Sequence, residues 1–256
     1  MSMSSLSFKT PTSKAGAMSQ LQRLTSQGYR YWTRGEMHYS KAEAFFVKMN
    51  NLFSLVATQS QRATLKKNGK ASVKLVMYPD DYDKSKITFW LLATAGKGLI
   101  HEHEKLSDAL VTPLTWRDQY QLTKIQRERK MGGKISWTWQ MQSIYYKDQL
   151  NMTKSAADSG EPALKDYFGR ICHMPMFSGI RDQVKSLDEY GRKTWHKQRK
   201  SAYPQVLPIK LASMPMIEVF KDISLGDLVK YMAKTEYERQ EKASAQVAEI
   251  LKNIER

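Results

Sequence analysis

Two runs, Gln119-Tyr-Gln-Leu-Thr-Lys-Ile-Gln-Arg127 and Lys134-Ile-Ser-Trp-Thr-Trp-Gln-Met141, flank the turn sequence Arg129-Lys-Met-Gly-Gly133. In the second run Ile135, Trp137, Trp139 and Met141 recur at every other position, with Ser136, Thr138 and Gln140 between them. Successive strand side chains point to opposite faces, so this alternation predicts a strand with one apolar face. A Gly-containing turn between two such runs predicts a β-hairpin.

Working outward, Ile87 to Thr94 is nearly continuous in apolar residues and reads as a central strand, buried on both faces. Upstream, Leu55–Leu65 and Ala71–Tyr78 flank Lys66-Lys-Asn-Gly-Lys70, and Asn-Gly is a strong short-range hairpin signal. Pro79 and the aspartates Asp80 and Asp81 end that arm as turn residues. A short strand is expected around Tyr29, Tyr31 and Trp32. Ser40-Lys-Ala-Glu43 has the form of a capping box, and Phe45, Phe46, Met49, Leu52 and Phe53 follow at helical spacing, which predicts a helix over 41–53.

Downstream, helices are expected over 161–172 and 179–200, joined through His173-Met-Pro-Met-Phe-Ser178-Gly. A Pro-containing extended segment follows, with a last helix starting near Ser224. The division is then a flexible tail over 1–27, a basic core over 28–202, a linker over 203–222 and a C-terminal helix over 223–256. The fold class is α+β, with antiparallel hairpins in the N-terminal part, helices packed on them, and a mostly helical C-terminal part.

The 256 residues carry 41 Lys+Arg against 25 Asp+Glu, a formal net charge of +16. With 41% hydrophobic residues the chain has the composition of a folded protein, and such an excess repels itself unless something anionic neutralises it. The single cysteine, Cys172, excludes an internal disulfide and four-thiolate zinc sites, and suits a reducing, cytoplasmic setting. The longest apolar run, Ile87 to Ala95, is too short to span a bilayer.

The positive charge is clustered. Arg62, Lys66, Lys67, Lys70 and Lys74 lie in a stretch without an acid up to Pro79. Lys124, Arg127, Arg129, Lys130 and Lys134 surround the second hairpin turn. Arg192, Lys193, Lys197, Arg199 and Lys200 form the third cluster, with His196 among them. Lysines at turns also keep edges soluble, but three separated clusters point to the phosphates of a nucleic acid. The charge does not itself choose between DNA and RNA, and DNA is the preferred reading. Trp137 and Trp139 read as core residues, as does Trp195, which is in register with Val184, Leu187 and Gly191. The helices from Ala163 to Trp195 present Leu164, Tyr167, Phe168 and Ile171 on one apolar face. Their connection is longer than a helix-turn-helix allows, which favours an ordinary helical hairpin.

A second reading is enzymatic. His101 and His103 stand two apart in Ile100-His-Glu-His-Glu104, and on a strand they would share a face and hold one divalent metal, Mg or Mn. Val76-Met-Tyr-Pro79 precedes them, and Tyr190 with Lys193 three residues later follows them. In that order the three elements resemble the motifs of rolling-circle replication initiators of the His-hydrophobic-His class. The resemblance implies a histidine-bound metal polarising a scissile phosphate and Tyr190 as nucleophile. Glu102 stands where that class has a bulky apolar residue. The non-catalytic reading needs no cofactor and is preferred: a phosphate-gripping protein serving replication, transfer or transcription control of a plasmid or phage. A third reading is an assembly protein with an acidic partner. From Leu225 the apolar stripe 225, 228, 229, 232 lapses, then resumes at Val247, Ile250, Leu251 and Ile254, which marks residues 224–256 for self-association or a protein partner.

Overall fold

A computed structural model describes residues 8–126, 135–199, 201–208, 211 and 221–254. It is α+β, with antiparallel sheets in the N-terminal part and helices in the C-terminal part. Contacts gather into two units, rather than the one core expected over 28–202. Unit 1 comprises residues 1–17, 28–106 and 220–256; unit 2 comprises 18–27 and 107–219.

In unit 1, β4 (Lys86–Ala93) lies between β2 (Tyr31–His38) and β3 (Val73–Pro79), antiparallel to both. The expected central strand is therefore central. Its two-sided burial follows from the register: Ile87, Leu91 and Ala93 alternate with Thr88, Trp90 and Leu92, and all six are buried. The first set joins Leu75 and Met77 of β3 in one core with Phe46, Met49 and Phe53 of α2 (Ala42–Phe53). Leu225, Leu228 and Met232 of α8 (Leu225–Ile254) enter the same core, so the predicted stripe docks that helix. Ser224 caps α8, its hydroxyl accepting from Asp227 N at 3.1 Å.

Four local expectations are corrected. Residues 8–27, expected to be part of a flexible tail, instead carry β1 (Lys9–Pro11), which pairs with β9 (Asp222–Ser224), and the helix α1 (Lys14–Ser26), whose residues from Met18 onward fall in unit 2. Ala17, Met18, Leu21 and Leu24 are buried on α1, a stripe diluted in the sequence by Ser, Gln and Thr. The capping box at Ser40–Glu43 does not form, because Tyr39–Lys41 makes a 3-10 turn and Lys41 occupies the N-cap of α2.

The arm 55–65 of the first hairpin is not a strand. Residues Gln59–Lys67 form the helix α3, started by a true capping box in which Gln61 N donates to Thr58 Oγ1 and Thr58 N donates to Gln61 Oε1. Asn68-Gly69 then ends that helix, Gly69 taking φ +65°. The same left-handed preference that makes Asn-Gly a hairpin turn makes glycine a helix stop. Finally, the His101–His103 segment lies on a short helix, α4 (Leu99–His103), rather than a strand.

In unit 2, the short strand β5 (Ser107–Asp108) precedes a three-stranded antiparallel sheet, β6 (Leu114–Trp116), β7 (Tyr120–Gln126) and β8 (Ile135–Met141). The second hairpin pairs as read, with Tyr120 opposite Met141 and Leu122 opposite Trp139. Trp139 and Met141 are core, whereas Trp137 is half-buried and Ile135 is 65% exposed. The other face is covered too at Thr138, which is 1% exposed.

Three helices complete the unit: α5 (Ser143–Ser159), α6 (Glu161–Ile171) and α7 (Ser178–Gln198). α5 packs against both α6 and α7. Leu164, Tyr167, Phe168 and Ile171 are buried on α6, as their spacing predicts. Gly179 lets the start of α7 touch β8: a Cβ there would lie 2.6 Å from Trp139 O. Its N–H donates to Thr138 Oγ1 at 3.1 Å, and Gln183 exchanges two hydrogen bonds with the backbone of Met141. This docking fixes where the far end of α7 emerges.

Candidate nucleic-acid interface

The last two turns of α7 carry the third basic cluster. Trp195 is buried at 4% exposure, its Nε1–H donating to Ser201 O at 3.1 Å, so it is core and not a stacking platform. Burying Trp195, Thr194 and Gly191 turns the opposite face of the helix outward. Arg192, Lys193, His196 and Lys197 are all exposed there. With Lys154 of α5 and Tyr190 they line an open cavity of about 590 Å³, and among the described residues its lining includes no carboxylate. Lys154 was not among the sequence candidates, because α5 itself was not.

The cations of this cluster differ in what they already hold. Arg199 is fully engaged: its guanidinium donates to Ala157 O at 2.5 Å and Asp158 O at 2.7 Å and lies 4.5 Å over the Trp195 ring. These carbonyls end α5, where a cation is favoured, so Arg199 clamps two helices. Lys154 pairs with Asp158 at 2.8 Å, which raises the lysine pKa and lowers that of Asp158, first through their hydrogen bond. Arg192 sits 3.6 Å from Asp188 and 4.9 Å over Tyr203. Burial, then the hydrogen bond to Asp188, pushes the Tyr203 phenol far up, so it stays a neutral donor to that carboxylate at 2.9 Å. Lys193 and Lys197 make no ion pair with any described residue.

In unit 1, Lys66, Lys67 and Lys70 are exposed at and beyond the C-terminal end of α3. Arg62 is not available with them: it is half-buried and donates to Leu55 O at 2.9 Å. Lys74 is half-buried on β3. The structure places Lys66, Lys67 and Lys70 on a helix end and loop, not on the tip of a two-stranded ribbon. In unit 2, Lys124 lies 5.2 Å over the Trp137 ring. Arg127, Arg129, Lys130, Lys134 and Lys200 lie outside the described residues.

The metal alternative loses its geometry. On α4 two residues two apart are separated by about 200° around the helix axis, so His101 and His103 do not share a face. His101 turns its Nε2 to Thr94 O at 3.0 Å and packs edge-on to Tyr31 at 5.1 Å. A ring nitrogen facing a carbonyl oxygen carries the proton and is not a metal ligand. Among the described residues no group of three His, Cys, Asp or Glu is arranged to hold a metal ion. No described helix is long and apolar enough to cross a membrane. Comparisons with protein-family models, with curated proteins and with solved structures give no match to this chain.

Proposed function

We propose that this protein binds nucleic acid, DNA in preference to RNA, by gripping backbone phosphates, in the replication, transfer or transcription control of a plasmid or phage. The observation that carries the reading is the basic cavity at the end of α7, where Lys193 and Lys197 make no ion pair with any described residue. Phosphate contacts release condensed counter-ions, so each one adds to the salt dependence of binding. Reversing both lysines (K193E/K197E) is expected to weaken binding of every sequence alike and to lower the slope of log K against log salt by about 2. The substitutions lie on an exposed face, so thermal stability should hold. An unchanged slope in the folded variant would remove α7 from the interface.

The second part of the proposal concerns α8. Beyond its docked stripe, Glu236 of α8 reaches Tyr39 and raises the tyrosine pKa, first through their hydrogen bond. Residues 237–246 are exposed throughout. Six basic and six acidic residues lie between Ser224 and Arg256, so this arm is neutral within a chain of net charge +16. A second copy can approach such an arm without the repulsion met elsewhere, and we read it as a self-association element.

A further inference from the structure

We propose that the loop pair 66–70 and 95–98 of unit 1 is a second site for the phosphate backbone of nucleic acid, acting separately from α7. It rests on the nucleic-acid reading above and adds Lys97, a residue that the sequence clusters do not contain. Two backbone hydrogen bonds join the loops: Lys97 N donates to Gly69 O at 2.9 Å, and Ala71 N donates to Lys97 O at 2.9 Å. Together they form an isolated parallel bridge between Lys70 and Lys97. Paired backbones lie about 4.8 Å apart, so the fold sets two lysines side by side. Gly96 fixes that approach. At φ +133° a Cβ on it would lie 2.7 Å from both Ala71 N and the Lys70 carbonyl carbon, so any larger residue would wedge the loops apart.

Part of this cluster has a local explanation. Cations near a helix C-terminus are favoured by its exposed carbonyls, which accounts for Lys66 and Lys67 at the end of α3. That argument stops at the helix end. Lys70 and Lys97 lie beyond it, and like charges on paired residues destabilise the pairing. Lys66, Lys67, Lys70 and Lys97 are all exposed, and none pairs with a carboxylate of the described residues. The sequence offers no acid between Arg62 and Pro79 or between Ala93 and His101. No described carboxylate compensates them, and the successive phosphates of a nucleic-acid strand carry the multiple negative charge that fits four such lysines.

The test uses full-length protein and one DNA duplex several helical turns long, with binding measured across a salt series. The variants are K66E/K67E/K70E/K97E, K193E/K197E and their combination, with K84E as an exposed lysine outside both surfaces. The quadruple variant is expected to bind more weakly than the parent. Between about 50 and 200 mM salt it should lose roughly a hundredfold less affinity, as expected for four fewer contacts. The α7 variant should keep salt-dependent binding that the combination removes, and K84E should match the parent. If the quadruple variant is misfolded, K97Q, which leaves the bridge backbone intact, decides: its slope should fall by about 1. A quadruple variant, or K97Q, with the parent's affinity and slope overturns the site while leaving the α7 reading in place. A parent protein without salt-dependent binding overturns both.

Discussion

At the residue scale, the side chains that the sequence made legible are those whose role follows from periodicity. Trp139, Met141 and Trp195 are buried where alternation and helical register put them. Charge was legible as clusters but not as availability. Arg62, Arg192 and Arg199 all read as phosphate ligands, yet each is committed to a carbonyl, carboxylate or ring within its own unit. Lys97 was invisible because its significance depends on a backbone bridge to Lys70, some 27 positions away in the chain. Asp83 offers a residue-scale check on the loop that joins β3 to β4. Its carboxylate accepts from the Ser85 hydroxyl at 2.6 Å and from Ser85 N at 3.0 Å, and pairs with Lys86 at 3.1 Å. These contacts, the hydroxyl bond foremost, lower its pKa to about 2. A depressed carboxylate stabilises the fold above its ordinary value and loses that contribution as pH falls towards its folded value. Stability tied to this loop should therefore fade between the ordinary carboxylate range and pH 2. In S85A the Asp83 titration, followed by carboxyl NMR, should move up; an unmoved midpoint would contradict the assignment of its cause.

At the element scale, β4, α6, α7 and α8 were legible because each has a dense apolar pattern. α5 was not, since its buried residues are Gln149, Thr153, Ala156 and Ala157. Polar and small residues leave no hydrophobic period to find; they are buried by the hydrogen bonds of Tyr167 to Gln149 and of Thr153 to both. α3 was misread for a different reason. Its face is barely apolar, and Asn68-Gly69 fits a hairpin turn and a helix end equally well. Its stability should then depend on its cap. Thr58→Ala is expected to cost about 1 kcal/mol, which speeds amide exchange in α3 about fivefold while leaving the β4 amides unaffected. Equal exchange in parent and variant would mean that the box does not hold the helix.

At the scale of the whole molecule, the two units were hidden because the chain leaves and re-enters each of them. Unit 1 is built from three separate stretches, and linear composition cannot reveal the return of β9 to β1 near residue 10, or of α8 to the core beneath β3 and β4. The arm of α8 is where this scale yields a separate prediction. Truncation after Lys242 keeps Glu236 and the docked stripe, so the thermal transition should be nearly unchanged while the mass in solution falls from that of an oligomer to a monomer. Equal masses before and after would show that the arm does not associate.

The central claim is that the protein grips phosphates, and affinity as a function of salt tests it most directly. Binding of the full-length protein to matched single- and double-stranded DNA and RNA of unrelated sequences should fall linearly in log K against log salt. The slope expected from Lys193, Lys197 and the four lysines of the loop pair is about −5 on duplex DNA. Slopes alike across sequences, with DNA bound more tightly than RNA, are the predicted result. Binding that is absent, or that does not weaken as salt rises, would contradict the account.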